Sequence, residues 1–132
     1  MNRSLVLLAA ALLCAAGCLS APFRMGRDVK TADALVALLH ENGFETDHVG
    51  LVRLPHLTEE GQAYRVIGAD VIQVFEYAHA EQAESEARRI DGRLLHRAGG
   101  AYYHRGRLIV RHLGTNGSLG LVLADALGPR LV

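Results

Sequence analysis

The 132-residue chain contains no tryptophan, 5% aromatic residues and only two cysteines. So few cysteines exclude the disulfide-rich scaffolds that many small exported domains use. The chain also lacks an excess of either charge, since 14 lysine and arginine residues balance 14 aspartate and glutamate residues. Balanced charge gives no general attraction to nucleic acids or anionic lipids. With 50% hydrophobic residues, the composition is that of a globular domain.

Motifs for catalysis and for phosphate binding are also absent. The seven histidines lie at least eight residues apart, so no HxH, HxxH or HExxH arrangement occurs. Outside the N-terminal 17 residues, Ser20, Ser85 and Ser118 belong to no GxSxG motif. The glycine-rich stretch 114–120 lacks the lysine of a phosphate-binding loop, and a turn followed by a helix cap explains it. The sequence therefore indicates no catalytic residues, no metal site and no cofactor.

The N-terminal segment has the three parts of a secretory signal. Arg3 supplies a positive charge, an apolar run begins at Leu5, and small residues lead to Cys18. The stretch 12–18 (LLCAAGC) resembles the lipobox of bacterial lipoproteins. In that family the cysteine thiol is diacylated, the peptide is cleaved just before it, and the new N-terminus is usually acylated. The resemblance therefore predicts lipidation of Cys18 with fatty acids such as palmitate, and a membrane anchor in the cell envelope.

Cleavage before Cys18 divides the chain into a signal peptide (1–17), a lipidated cysteine with a short tether (18–27) and a single α+β domain (28–132). Cys14 leaves with the signal peptide, so the mature protein keeps one cysteine and forms no internal disulfide. Leu19 follows the cysteine, where aspartate is the family's retention signal. This predicts the periplasmic side of the outer membrane in a double-membrane bacterium, and the outer face of the plasma membrane otherwise.

Three other interpretations of the N-terminal segment stay open. Residues 4–21 lie near the lower length limit for an uncleaved transmembrane helix. Ordinary signal peptidase also accepts small residues of the kind found at Ala15 and Gly17, and it would cleave at the same point. The start codon, finally, could be wrongly assigned. The sequence by itself does not choose among these alternatives.

Apolar periodicity predicts three helices and five strands beyond the tether. The expected helices cover 29–42 (capped by Asp28), 81–90, and a last segment capped by Asn116 or Ser118. The expected strands cover 44–54, 63–67, 71–77, 101–104 and 107–113, of which the last four form two hairpins. The order α-β-β-β-α-β-β-α lacks the alternation of parallel folds. We therefore expect an α+β two-layer sandwich, with a mainly antiparallel sheet of about five strands and its helices on one face.

Two further stretches resemble a group of small, uncharacterised bacterial proteins that are secreted or lipid-anchored. They are 68–77 (GADVIQVFEY), followed by an Ala/Glu-rich helix, and 102–110 (YYHRGRLIV), which leads to 127–129 (LGP). The resemblance covers roughly residues 31–132. It implies the α+β fold and export, and it implies no active site.

Side chains of the second hairpin are candidates for surface binding: Tyr103, Arg105, Arg107 and Arg111. Basic residues beside aromatic rings suit a polyanion, but alternation along a hairpin also gives this pattern on an ordinary exposed face. Glu76 poses a related question, because an inward-facing carboxylate in an apolar strand needs a partner such as Arg107 or Arg111.

From these features we expect an exported, lipid-anchored lipoprotein whose domain binds or scaffolds a protein or a small molecule at the membrane surface. We expect no catalysis, no cofactor and no nucleic-acid partner. The alternative is a small metal-dependent or hydrolytic enzyme. That alternative requires the fold to bring His104 or His112 together with Glu76 or Asp125.

Overall fold

The computed structural model describes residues 29–66, 68, 70–90 and 99–131. Within these residues the chain forms helices α1 (Ala32–Glu41), α2 (Ala80–Arg89) and α3 (Gly117–Leu127). The strands are β1 (Thr46–Val52), β2 (Gly61–Val66), β3 (Val71–Glu76), β4 (Ala101–Arg105) and β5 (Leu108–Leu113). The predicted α+β class, order of elements and two hairpins are confirmed.

Side-chain caps fix where α1 and α3 begin. Thr31 Oγ1 accepts a hydrogen bond from Ala34 N at 3.1 Å, and Asn116 Oδ1 accepts one from Leu119 N at 3.1 Å. Each bond satisfies an N–H group that the first turn of a helix leaves unpaired. Of the two caps predicted for α3, Asn116 is therefore the one used. The predicted cap of α1, Asp28, lies outside the described residues.

The sheet is antiparallel throughout, with strand order β1-β2-β3-β5-β4. The two hairpins therefore join side by side, through the pairing of β3 with β5. Strand β1 forms one edge and has a bulge between His48 and Gly50, where Gly50 adopts a φ of +142°. A bulge interrupts the regular pattern of an edge strand and so protects it from pairing with another chain.

Apolar residues fill both faces of the sheet. On one face, here called the α1/α3 face, α1 and α3 cover Ile72, Val74 and Val110. On the other, the α2 face, α2 covers Phe75 and Ile109. Helices thus lie on both sides of a central sheet.

The position of α2 corrects the expectation that all helices share one face. Leu108, Ile109 and Val110 are consecutive in β5, and each has an exposure of 0%. Because successive strand residues project from opposite faces, both faces of β5 need an apolar cover. One layer of helices covers only one face of a sheet, so α2 packs on the face opposite to that of α1 and α3.

Candidate functional site

An open groove of about 590 Å³ lies on the α1/α3 face, beside the N-terminus of α1. Its volume falls within the range of about 300–1,000 Å³ that is typical of small-molecule sites. The lining residues come from the start of α1, from β1 to β3 and from the loop that precedes β2. They are Thr31, Ala32, Asp33, His48, Glu60, Gln62, Tyr64, Val74 and Glu76.

The register of the sheet assembles the floor of the groove. His48 lies opposite Tyr64, and Gln62 lies opposite Val74. Directly paired residues of antiparallel strands project from the same face, so these four side chains meet there. His48 Nε2 donates a hydrogen bond to Gln62 Oε1 at 2.5 Å, and the His48 ring meets the Tyr64 ring edge-on with centroids 5.3 Å apart. These contacts fix the orientation of the rings.

Glu76 joins the sheet to the start of α1. Its Oε1 accepts a hydrogen bond from Ala32 N at 2.8 Å, which satisfies another unpaired N–H group of the first turn. The carboxylate also lies at the positive end of the helix dipole. This partner differs from the predicted Arg107 or Arg111. One end of the groove is therefore built by a contact between β3 and α1.

Three carboxylates line the groove, and no lysine or arginine does. Glu60 Oε2 accepts a bond from Arg53 Nε at 3.0 Å, in a pair that is exposed to solvent. Asp33 is exposed, and within the described part of the chain it makes no hydrogen bond or ion pair. Burial raises the pKa of the Tyr64 hydroxyl, and the negative charges of Asp33 and Glu76 raise it further. The lining therefore places carboxylates around a protonated phenol.

The loop that brings Glu60 to the groove is fastened to the α2 face. Thr58 N donates to Glu86 Oε1 at 2.9 Å, and Leu57 is buried against α2. His56 Nε2 shares a hydrogen bond of 2.8 Å with the Tyr102 hydroxyl. Although burial raises the pKa of the Glu86 carboxyl, the nearby Tyr77 hydroxyl and the bond from Thr58 lower it by more. A charged Glu86 therefore holds this loop.

The four predicted surface residues do not form one exposed surface. Tyr103 is 4% exposed in the α1/α3 core, and Arg111 is 9% exposed on the opposite face, 5.8 Å from the Tyr102 ring centroid. Arg105 and Arg107 are half-buried beside the β4–β5 turn. The expectation of an exposed position is thus corrected for Tyr103 and Arg111, because helices cover both faces of this hairpin.

The two histidines of the enzyme hypothesis are hydrogen-bonded to groups other than Glu76 or Asp125. His104 Nε2 bonds to Gly106 O at 3.0 Å, whereas His112 Nε2 bonds to Asp70 Oδ2 at 2.6 Å. Asp125 is exposed on α3, and Glu76 caps α1. Among the residues that the structure describes, no three His, Cys, Asp or Glu side chains are grouped so that they could hold a metal ion.

A buried hydrogen bond between Asp70 and His112 was missed by sequence reasoning. The two residues are 6% and 5% exposed, and Asp70 Oδ2 also accepts a bond from Asn116 N at 3.0 Å. The hydrogen bond from His112 lowers the pKa of the Asp70 carboxyl by more than burial raises it. This pair fastens the loop before α3 to the β2–β3 turn. It lies away from the groove and has a structural role.

The N-terminal expectations lie outside the described residues, including Cys18 and the alternative membrane helix over 4–21. In the ranges that are described, no helix has the length and apolar character needed to cross a membrane. Comparison of the chain with protein-family models, with curated proteins and with solved structures gives no match. The geometry of the groove and the N-terminal sequence are therefore the features that indicate a candidate function.

Proposed function

We propose that this chain is an exported, lipid-anchored lipoprotein whose folded domain binds a ligand at the membrane surface without catalysing a reaction. The observation that carries the binding role is the groove beside α1. Concave sites of this volume that bring several polar side chains together are common places where proteins hold small ligands.

The position of the groove relative to the tether supports a role near the bilayer. Thr31, Ala32 and Asp33 line the groove, and only 12 residues separate Cys18 from Thr31. A fully extended segment of this length spans at most about 45 Å. Lipidation of Cys18 would therefore keep the groove within that distance of the membrane surface.

The chemistry of the lining supports binding rather than catalysis. Its residues include no cysteine, serine or lysine. Among the other side chains that can act as nucleophiles, Thr31 is used to cap α1 and Glu60 is paired with Arg53. The one imidazole, that of His48, donates its Nε2 hydrogen to Gln62, and the Glu76 carboxylate is used to cap α1. A metal-dependent or hydrolytic enzyme would need its ligands or its nucleophile and base to converge. No observation favours that alternative.

Labelling with radioactive palmitate tests the anchor. We expect the wild-type chain and Cys14→Ala to be labelled in a bacterial host, and Cys18→Ala to be unlabelled. Globomycin, which blocks lipoprotein signal peptidase, should cause the precursor to accumulate. Cys14→Ala is the matched control, because it removes the other cysteine of the same segment. Label on Cys18→Ala would contradict the lipobox assignment.

Photo-crosslinking in intact cells tests the groove. A photoreactive phenylalanine analogue at position 33 should give ultraviolet-dependent adducts of discrete mass. The same analogue at position 47, on the opposite face of β1, serves as the control and should give none. Adducts of equal yield at the two positions, or none at position 33, would count against a ligand in the groove.

A further inference from the structure

We propose that the loop joining β1 to β2, residues 53–60, is a pH-sensitive strap that is released from the α2 face when His56 takes up a proton. Such a strap goes beyond the binding role proposed above and does not depend on it. Only an effect of the strap on the groove, whose lining includes Glu60, would rest on that role.

The strap is fastened to the α2 face at its middle and closed at its base. Leu57 is buried in the cluster under α2, and Thr58 N donates a hydrogen bond to Glu86 Oε1 at 2.9 Å. At the base, Arg53 Nε donates to Glu60 Oε2 at 3.0 Å, so this bond joins the two ends of the loop to each other. The middle of the loop can therefore leave α2 while both ends stay in the sheet. Loops held by few contacts open in this way without global unfolding.

The contact of His56 with β4 requires a neutral imidazole. His56 Nε2 lies 2.8 Å from the Tyr102 hydroxyl oxygen, and the two rings meet edge-on with centroids 5.6 Å apart. Tyr102 is buried, and among the described residues its hydroxyl has no other hydrogen-bond partner. A buried hydroxyl needs an acceptor for its hydrogen, and a protonated imidazole has none to offer. Neutral His56 accepts that hydrogen, whereas protonated His56 would leave it without an acceptor.

The nearest charge also opposes a proton on His56. The Arg111 guanidinium, on β5, lies 5.8 Å from the centroid of the Tyr102 ring that His56 contacts. Burial lowers the pKa of the His56 imidazole, and the positive charge of Arg111 lowers it further. The described ionisable groups on the surrounding elements are Tyr77 after β3, Glu86 of α2, Tyr102 of β4, Arg111 of β5, Arg130 near the C-terminus, and Arg53, Glu59 and Glu60 of the strap itself.

The sign of the pH effect follows from these contacts. The Glu86 carboxyl has a pKa below its ordinary value, so it stays charged while histidine titrates and keeps its bond to Thr58. In the released strap the imidazole returns to water, where its pKa takes the ordinary value of 6.5. The contact of His56 is therefore fully stabilising above that value and is lost as the pH falls through the lower pKa of the fastened state.

Hydrogen exchange of the ¹⁵N-labelled full chain, followed by NMR, tests the strap. The readout is the protection factor of the Thr58 amide, from which the intrinsic pH dependence of exchange has been divided out. We expect it to fall about tenfold between pH 8 and pH 5, the effect of one lost buried hydrogen bond. The Tyr77 amide, which bonds to Arg107 O, should keep its protection, because the rest of the domain stays folded. An unchanged Thr58 protection factor, or an equal fall at Tyr77, would overturn the proposal.

A substitution assigns the pH dependence to His56. His56→Gln keeps a side chain that can accept from the Tyr102 hydroxyl but takes up no proton, so Thr58 should be equally protected at both pH values. His104→Gln is the matched control, because it makes the same change where the imidazole bonds to Gly106 O, and it should behave as the wild type. A tenfold fall that persists in His56→Gln would overturn the proposal.

A second measurement needs no substitution. Titration of the imidazole signals of the wild type by NMR should give a midpoint for His56 below the ordinary 6.5. The chemical shift of the Thr58 amide should change with the same midpoint, because proton uptake and release of the strap are one event. A His56 midpoint at or above 6.5, or a Thr58 shift that does not follow it, would contradict a strap controlled by this residue.

Discussion

Carboxylates at the two ends of the α1/α3 face differ in burial and in hydrogen bonding. At the end near β5, Asp70 is 6% exposed and bonds to both His112 and Asn116. At the end near β1, Asp33 is exposed and has neither a hydrogen bond nor an ion pair among the described residues. A buried carboxylate must be paired to be tolerated, whereas an unpaired one at a groove is available to a ligand. The same residue type therefore stabilises the fold at one end and defines a candidate site at the other.

Loss of the contact between Asp70 and His112 should destabilise the protein more than any other change considered below. Asp70→Ala leaves His112 Nε2 and Asn116 N without their acceptor, and we expect the free energy of unfolding to fall by about 3 kcal/mol. Urea denaturation measures it. Asp125→Ala, on the exposed surface of α3, is the control and should change stability by less than about 0.5 kcal/mol. A similar cost for both variants would show that the pair is not stabilising.

The backbone beside this pair should also be sensitive. Gly114 has a φ of +135°, and a Cβ at this position would collide with the Asp70 carboxylate. We expect Gly114→Ala to lower the free energy of unfolding by about 2 kcal/mol. Gly117→Ala is the matched control, because it lies at the start of α3 with open space around it and no positive φ. That variant should be neutral or slightly stabilising. A larger loss of stability for Gly117→Ala than for Gly114→Ala would contradict the predicted collision with Asp70.

The pair should make stability depend on acid pH. Because the pKa of Asp70 is lower in the folded protein than its ordinary value of 3.8, the unfolded chain takes up a proton first. The stabilisation is therefore complete above that ordinary value and is lost as the pH falls through the folded pKa. In urea denaturation, the free energy of unfolding of the wild type should fall more steeply over this pH range than that of Asp70→Asn. Identical pH profiles would exclude a contribution from Asp70.

The smallest effect is expected at the groove end, from loss of a helix cap. Thr31→Ala removes the acceptor for Ala34 N and should cost about 1 kcal/mol of unfolding free energy. Thr115→Ala, at an exposed loop position, is the control and should cost less. Circular dichroism during thermal unfolding reports both. If Thr31→Ala is as stable as the control, the Thr31 cap does not contribute to stability, and the bond from Ala32 N to Glu76 is sufficient to stabilise the start of α1.

Local patterns were sufficient to predict most elements of the fold. The turn before Asp70 and the Arg105-Gly106 turn lie between β-rich runs, so both hairpins followed from neighbouring residues. The apolar spacing of Leu35 and Leu39 likewise predicted α1. The position of α2 did not follow, because a narrow stripe of alanines shows that a helix packs on a sheet but not on which face.

The groove and the buried pair could not be predicted, since both depend on contacts between residues that are distant in sequence. His48 and Tyr64 meet only through the register of β1 with β2, and that register includes a bulge. Asp70 and His112 are 42 positions apart and join different hairpins. Their residue types alone gave no signal, because an aspartate after a turn is common on exposed surfaces.

The proposed function depends on the groove beside α1 being a ligand site, and NMR mapping of the ¹⁵N-labelled domain probes that site. The probes are 1,5-diaminopentane, 1,5-pentanediol and pentanedioate, which share one carbon chain and differ in charge. A probe that binds should shift amide signals that cluster around Ala32, Asp33, Gln62 and Tyr64, and signals of Asp70 and His112 at the other end of the face should not move. Shifts spread evenly over the surface, shifts centred at that other end, or no shift with any probe would contradict a binding site in the groove.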